Sequence, residues 1–541
     1  MLRPAADWAT LHRRFRWQIP VRFNIAASVC DRHADPANRL ALIERRAGAA
    51  PREVGFLDLE RQSCRLANVM AAAGIGPGDR VAILLPQRLE VALAHLAIYR
   101  LGAIALPLFT LFGPDALQFR LADSGAAALI TDPDGADKVG PLSADLPGLR
   151  HVWLVDRAGP DGLAGLMARA ADRCPIADTL ADDPALLIYT SGTTGQPKGA
   201  LHGHRVLLGH LPGVQVPHGF FPQPGDRFWT PADWAWIGGL LDVLMPSLHF
   251  GVPVVAGPGG RFDPEAAADF MAREGLRNAF LPPTALRLMR QAGVDPGKRG
   301  ARLRTAASGG ERLGDEVVGW GRQALGVTID EFYGQTECNL VVSTCRALFE
   351  PPAGSMGRAV PGHRVAVLGP DGQPQRPGDE GEIAIRRPDP VMFLGYWNQP
   401  DATRAKFRGD WLLTGDLGRA DEAGNLTYLG RDDDVITSAG YRIGPAEIEA
   451  TLLKHPAVAL CAVIGVPDPA RGEVIKAFVV PRAGVVTSAE LGEELRALVR
   501  ARLAAHETPR QIAFVDALPL TATGKVMRRE LRSRAGRSTE G

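Results

Sequence analysis

The chain lacks an excess of either charge: 61 Lys and Arg stand against 60 Asp and Glu, a formal net charge of +1 over 541 residues. Coating a nucleic acid or another polyanion needs a basic surplus, so the balance excludes that class of partner. It also lacks paired cysteines. Cys30, Cys64, Cys174, Cys338, Cys345 and Cys461 are scattered without a CxxC motif, which reads as free thiols in a reducing compartment, inert packing residues for the most part. No apolar stretch of signal-peptide length precedes a cleavage site in MLRPAADWATLHRRFRW, so secretion is not expected. A membrane span is not expected either, because the most apolar long window, Leu240 to Val255, is broken by Asp242, Pro246, His249 and Pro253. These absences point to a cytoplasmic protein. Fixed-period repeats and low-complexity tracts are missing too, which removes solenoids and disordered arrays.

What is present is a globular composition, 46% apolar and 22% charged, in a chain too long for one hydrophobic core. From Val81 the pattern VAILLP, then a Leu/Ala-rich helical stretch through Leu101, then IALPL sets a strand–helix–strand rhythm, and ALITD, HVWLV and ALLIY continue it. Such alternation implies an α/β architecture with mainly parallel sheets. GIGPGD at Gly74 precedes a strand instead of following one, and reads as a turn. The texture changes near Gly430, where GRDDDVITSAGYRIGPAEIEATLLKHP joins a charge run to a helix start with Pro445 first and Glu447 and Glu449 in the early turns. Taken alone, Asp432 to Asp434 is a solvated loop. Beyond it ALCAVIGV, VIKAFVVP and QIAFVDALP read as strands, and Leu491, Leu495, Leu498 and Val499 mark one face of a helix. The expected division is a large N-terminal domain of several subdomains over 1–431 and a small α+β domain over 432–541.

Between Tyr189 and Ala200 stands YTSGTTGQPKGA. It leaves a strand end, the place where α/β sheets bind ligands. Gly192, Gly195 and Gly199 let backbone approach an anion, Ser191, Thr193 and Thr194 add hydroxyl donors, and Lys198 adds a charge. No stretch of the chain satisfies G-x-x-x-x-G-K-[ST], which disfavours a Walker-type NTPase. From these residues alone, phosphate binding and a plain flexible loop both remain open.

YTSGTTGQPKG resembles the signature loop of the adenylate-forming superfamily, which includes acyl-CoA synthetases, luciferases and nonribosomal adenylation domains. Six more motifs similar to that family's follow in order: FWTPADWAWIGG at Phe228, SGGER at Ser308, YGQTE at Tyr333, TGD at Thr414, GRDDDVITSAGYRIGPAEIE at Gly430 and PLTATGK at Pro519. The likeness covers almost the whole chain and is greatest to medium-chain acyl-CoA synthetases. It implies an ATP-dependent acyl-CoA synthetase with Mg2+ and coenzyme A. A carboxylic acid and ATP would give an acyl-adenylate and pyrophosphate, and CoA would then take the acyl group and release AMP.

Carried over residue by residue, the resemblance implies that Thr190, Ser191, Gly192, Thr193, Thr194 and Lys198 enclose the β- and γ-phosphates. Thr336 would contact the α-phosphate and Glu337 the Mg2+. Gly310, Glu311 and Arg312 would recognise adenine, with Tyr333 stacked on it, and Asp416 would accept both ribose hydroxyls. The guanidinium forks of Arg431 and Arg442 suit ribose and phosphate oxygens respectively. Lys525 would neutralise the α-phosphate as the adenylate forms; without the family context it is a solvated charge in a basic tail beside Arg528 and Arg529. Acetylation there would switch the enzyme off, which makes a lysine acetyltransferase and deacetylase expected partners. Asp433 matches the hinge of a mobile small domain, and Gly440 would line the pantetheine tunnel.

The acyl pocket would be lined by Trp236, Ile237, Gly238, Gly239, Gly309 and Gly334. Acetate-specific relatives carry Trp where Gly334 stands, so its absence implies room for an acid larger than acetate: medium-chain, branched short-chain or aromatic. Each buried methylene favours the longer acid by about 0.8 kcal/mol. Cys338 and Asn339 depart from the small or hydroxyl residues commoner after YGQTE. Two rivals stand beside this reading. A stand-alone adenylation enzyme could load an aryl or amino acid onto a carrier protein, with Asp233 or Asp242 facing an ammonium. A non-catalytic sensor would be expected to have lost Lys525, Glu337 or Lys198, and all three are present.

Overall fold

The structure is a computed structural model that describes residues 2–46, 48, 50–190, 197–257, 259–260, 262–311, 313–431, 434, 436–438, 441–468, 472–502, 507–521 and 524–537, without the side chains of 437, 441, 442, 447, 472, 536 and 537. A seven-stranded sheet runs in the order Gly395–Tyr396, Lys198–Gly203, Pro184–Thr190, Ile104–Pro107, Arg80–Leu84, Ala128–Thr131 and His151–Leu154. From Pro184–Thr190 outward every pairing is parallel. These strands are the apolar runs read from the sequence, and their near-continuous burial is what a sheet covered on both faces requires. Helix Leu89–Arg100 is buried around its whole circumference, so it lies between layers instead of on the surface. The Gly74 segment is the turn expected of it, with Gly74 and Gly78 at φ +79° and +80°.

A second, larger sheet begins in the same style. Leu40–Glu44, Val254–Ala256, Phe228–Trp229, Asn278–Phe280, Thr305–Gly309 and Ile329–Gln335 pair in parallel. At Cys338–Ser343 the pattern changes, and the strands from there through Ser355–Ala359, Leu426–Arg431, Trp411–Ala420, Glu380–Arg386 and Val365–Leu368 are antiparallel. Tight turns make this possible. Gly372 and Gly424, both at φ +78°, close the turns after Leu368 and Ala420, and the Asp421 carboxylate accepts from the Asn425 backbone N–H at 2.8 Å.

The C-terminal part builds a separate sheet from Tyr441–Ile443, Ile436–Ser438, Gly472–Pro481, Val458–Asp468 and Gln511–Phe514. Its core gathers Ile436, Ile448, Val463, Ile475, Leu495 and Val499 without residues from the other sheets. Helix Ala489–Arg502 buries Leu491, Leu495 and Val499, while Leu498 is half-exposed. Among the described residues no helix is long and apolar enough to cross a membrane.

Candidate active site

The glycine-rich loop joins two antiparallel strands, with Thr190 opposite Lys198. It therefore leaves a strand end as expected but returns along a strand, without the helix N-terminus on which a P-loop relies. Ser191, Gly192, Thr193 and Thr194 lie outside the described residues. Gly199 is glycine because a Cβ there would meet Leu187 Cδ1 at 2.8 Å and Tyr189 Cζ at 3.2 Å. The short strand Gly395–Tyr396 adds to the hairpin's edge, Tyr396 opposite Ala200. That register sets the Tyr396 ring 5.3 Å from the Lys198 ammonium, and the Tyr396 hydroxyl donates to Glu337 Oε1. Burial and the Glu337 charge push the Tyr396 phenol up, so it stays a protonated donor.

Glu337 and Thr336 form the turn between Ile329–Gln335 and Cys338–Ser343. The hairpin is irregular, with a register shift between Tyr333 and Gln335 and Leu340 in the left-handed region at φ +64°. A buried leucine held there is strained, as backbone at functional sites often is. A Cβ at Gly334 would stand 2.2 Å from Leu340 N and 2.7 Å from Asn339 Cα. The missing side chain at Gly334 is thus accounted for by adjacent backbone, which corrects the inference that it opens acyl space.

Asp416, expected from the resemblance to meet the ribose, is a hub of hydrogen bonds. Its Oδ2 accepts from Tyr333 Oη at 2.5 Å and from Gln335 Nε2 at 2.6 Å, and its Oδ1 faces Arg431 Nη1 at 3.3 Å. Three of the roughly four acceptor positions of a carboxylate are taken, so two ribose hydroxyls fit only if one of these donors gives way. Burial, then the Asp416 charge, push the Tyr333 phenol well up. Glu311 is held in an ion pair with Arg287 at 2.8 Å, and Arg312 lies outside the described residues. Gly310, at φ +98°, rests on the Trp236 indole, where a Cβ would meet Cζ2 at 3.1 Å.

Trp236, Phe280 and Phe332 form a row of rings with centroids 5.5 and 5.1 Å apart. Ile237, Gly238 and Gly239 make a short helical turn beside it. A Cβ at Gly238 would meet Phe280 at 3.0 Å, at Gly239 the Asp233 carbonyl at 2.3 Å, and at Gly309 the Phe332 ring at 2.4 Å. These glycines record close packing. Asp242, on the π-helical turn Leu240–Leu244, is buried and accepts from Asn339 Nδ2 at 2.8 Å. Burial pushes its carboxyl well up. Asp233 accepts from the Ala235 N–H at 2.8 Å inside its own turn and is pushed up to about 6 by burial. Asp233 is engaged within its own turn, while Asp242 keeps its Oδ2 without a partner among the described residues; burial that favours its neutral form disfavours the ammonium-binding role.

At the far end of the chain, the Pro519–Lys525 segment closes as a turn. Thr521 N–H donates to the Lys525 carbonyl at 2.7 Å, and Lys525 N–H donates to Thr521 Oγ1 at 3.0 Å. Gly524, at φ +87°, packs against Thr284 of helix Pro283–Gln291, where a Cβ would come within 3.2 Å of its hydroxyl. The Lys525 side chain is exposed. Among the described residues its ammonium forms no hydrogen bond or ion pair, with Thr336 and Glu337 or any other. Its neighbour Arg528, by contrast, pairs with Glu449 at 2.7 Å and Asp434 at 3.4 Å. Asp434 also holds Arg532 at 2.8 Å, so it is buried and paired, not part of a solvated loop. Asp433, Gly440 and the Arg442 side chain lie outside the described residues.

Sequence reasoning missed Tyr396 and Gln335. The only signal for Tyr396 was an aromatic pair, GYW, after a glycine; its partner Glu337 is 59 residues away. Gln335 sat inside a motif already quoted, YGQTE, but its reach to Asp416 depends on strand register. Among the described residues no three or more His, Cys, Asp or Glu side chains gather to hold a metal. Glu337, 7% exposed and bonded through Oε1, fits a hard cation that brings its other oxygens with substrate phosphates.

Residues 30–397 match the family model described as AMP-binding enzyme, and 447–525 match the AMP-binding enzyme C-terminal domain. The chain is 34% identical to the acetyl-coenzyme A synthetase of Bacillus subtilis (strain 168), over 97% of this chain and 93% of that protein. It is also 34% identical to the mitochondrial acyl-coenzyme A synthetase ACSM2B of Homo sapiens, over 96% and 92%. The solved structure of the anthranilate CoA ligase AuaEII in complex with anthranoyl-AMP is similar at a TM-score of 0.87 and 28% identity, covering 96% of this chain and 98% of that one. The Brucella canis acyl-CoA synthetase gives 0.75 and 35%, covering 99% and 100%.

Proposed function

The chain belongs to the family of AMP-binding enzymes, and from that premise we propose that its adenylate centre is built on Lys198, Thr336, Glu337, Asp416 and Lys525 and takes an acid larger than acetate. The enzyme is an AMP-forming acid–thiol ligase that makes acyl-CoA with ATP. A carboxylate oxygen attacks the α-phosphorus and pyrophosphate leaves; the CoA sulfur then attacks the acyl carbonyl and AMP leaves. Both steps concentrate negative charge, so the protein's part is to preorganise cations and donors. The observation that carries the reading is the Tyr396 bridge, which holds the Lys198 ammonium and the Glu337 carboxylate on one ring.

In this reading Lys198 and the loop before it hold the outer phosphates, and Thr336 the α-phosphate. Glu337 holds Mg2+, the usual ion of the family, which supplies charge neutralisation on the phosphates when bound. Asp416, with Tyr333, Gln335 and Arg431, orients the ribose. Lys525, exposed and without a partner among the described residues, is free to reach the α-phosphate, assisted by Arg442. The domains divide at 431 and 432, Asp433 is the hinge, and Gly440 opens the pantetheine path. Exposure of Lys525 suits an acetyltransferase and deacetylase pair, and the unpaired cysteines suit a cytoplasmic setting.

The acid is medium-chain, branched short-chain or aromatic. Support comes from the half-buried Trp236 ring, backed by the buried Phe280 and Phe332, and not from Gly334. The test is an acid panel from acetate to decanoate with isobutyrate and benzoate, scored for AMP release with and without CoA. We expect CoA-dependent release, fastest for an acid longer than propionate or for benzoate. Fastest release with acetate would overturn the acid assignment, and AMP release independent of CoA would favour the carrier-protein alternative.

A further inference from the structure

Two cysteines far from the adenylate centre stand almost in bonding contact. Cys64 lies on helix Phe56–Ala72 and is 2% exposed. Cys174 lies on the strap between helix Leu163–Arg169 and strand Pro184–Thr190, half-buried, between the exposed residues Arg173 and Pro175. Their sulfurs are 2.8 Å apart. Even carbon atoms in van der Waals contact rest at about 3.5–4.0 Å, and a covalent S–S bond measures about 2.05 Å.

The approach does not depend on the sulfurs themselves. Arg65 Nη1 donates to the carbonyls of Met167, Ala168 and Ala170 at 3.2, 3.2 and 2.9 Å. Asn68, one turn beyond Cys64 on the same helix face, donates to the carbonyls of Ala171 and Arg173 at 2.8 and 3.0 Å. On the other side, the Ala177 N–H donates to the Arg100 carbonyl at 2.7 Å. Cys174 is thus fixed over the helix from both flanks. Beneath the pair lies the Arg100 guanidinium, ion-paired with Asp31 and donating to Ser63 Oγ at 3.1 Å. The Cys174 S–H donating to Cys64 lowers the Cys64 thiol, helped by the Arg100 charge, and raises the Cys174 thiol, so the pair at rest holds one proton on Cys174.

We propose that Cys64 and Cys174 are a reversible disulfide site, closed by a hydroperoxide and reopened by thiols. One proton is shared between the two sulfurs; it passes from Cys174 to Cys64, and the more exposed Cys174, then a thiolate, is the sulfur that meets the peroxide first. Its sulfur attacks the terminal peroxide oxygen, the O–O bond breaks, and an alcohol or water leaves. Cys64 then attacks the sulfur of the Cys174 sulfenic acid and expels hydroxide, which leaves as water with the remaining thiol proton. Two thiols and one hydroperoxide give one disulfide, one alcohol and one water. The bond spans a sequence separation of 110 residues and rivets the helix to the strap that leads into the glycine-loop hairpin, restricting the unfolded chain.

The experiment uses the full chain treated with hydrogen peroxide, alkylated, digested and mapped by mass spectrometry. We expect a peptide containing Cys64 linked to one containing Cys174, lighter by two hydrogens and released by dithiothreitol. Alkylation of both cysteines after oxidation, or sulfinic acid on Cys174 without a link, overturns the proposal. The urea midpoint should rise on oxidation and return with dithiothreitol. A linked protein with an unchanged midpoint refutes the bracing role. The wild-type map decides the matter even if Cys174→Ser does not fold.

Discussion

Removing one oxygen tests the bridge between the two halves of the proposed phosphate site. Tyr396→Phe deletes the hydroxyl that donates to Glu337 and keeps the ring that faces Lys198 at 5.3 Å. A hydrogen bond to a charged partner contributes about 1.5–3 kcal/mol. Glu337 is buried, so water replaces the lost donor poorly. At 1.36 kcal/mol per tenfold, acid-dependent ATP–pyrophosphate exchange should slow by roughly 10- to 150-fold. Tyr396→Leu removes the ring as well and should cost a further ~0.5–2 kcal/mol through Lys198. Because the hydroxyl acts through Glu337, Tyr396→Phe should add little in a Glu337→Gln background. Wild-type exchange in Tyr396→Phe at every Mg2+ concentration refutes the bridge. Equal losses in both backgrounds refute its action through Glu337.

Three further outcomes follow from the same geometry. Burial draws His95, His202, His218 and His249 from 6.5 down to about 3, and His204 and His210 to about 4. Below pH 6.5 the unfolded chain therefore takes up protons that the fold refuses, and stability falls as pH falls toward those values, by about 1.4 kcal/mol per unit for each histidine. A urea midpoint that stays level from about pH 7 to pH 5 contradicts this. Gly334→Trp drives a side chain into the Leu340 backbone, an overpacking cost of about 1–3 kcal/mol; turnover of every acid should fall together, and selective retention of acetate would restore the pocket-closing interpretation. Asp433→Pro should leave adenylate formation intact and stop thioester formation in single-turnover transfer. Parallel loss of both half-reactions would exclude a hinge.

The contiguous motifs were legible because each carries its chemistry in a few adjacent residues, and the parallel strands because buried runs such as ALLIY announce themselves by composition. Contacts across the sheet were not. Tyr396 reaches Glu337 only because Gly395–Tyr396 adds to the edge of the glycine-loop hairpin, a register with no trace in local pattern. Gly334 was misread because a glycine reports what surrounds it, and here that is the backbone of Asn339 and Leu340. The pairing of Arg528 was not legible, since its partners Glu449 and Asp434 are 79 and 94 residues earlier. The antiparallel strands between Ser355 and Arg431 escaped notice because short hairpins with glycine turns lack the strand–helix rhythm that marks the parallel parts.

Separating the two half-reactions in Lys525→Ala tests the placement of the adenylate centre most directly. Removing one preorganised cation or donor from such a site costs about 10²–10³ in rate. The backbone bonds of the Pro519–Lys525 turn are retained in this variant, and the lost ammonium has no described partner. Acid-dependent pyrophosphate exchange should therefore fall by that factor, while acyl transfer from supplied acyl-adenylate to CoA continues at the wild-type rate. Exchange at the wild-type rate would contradict the account.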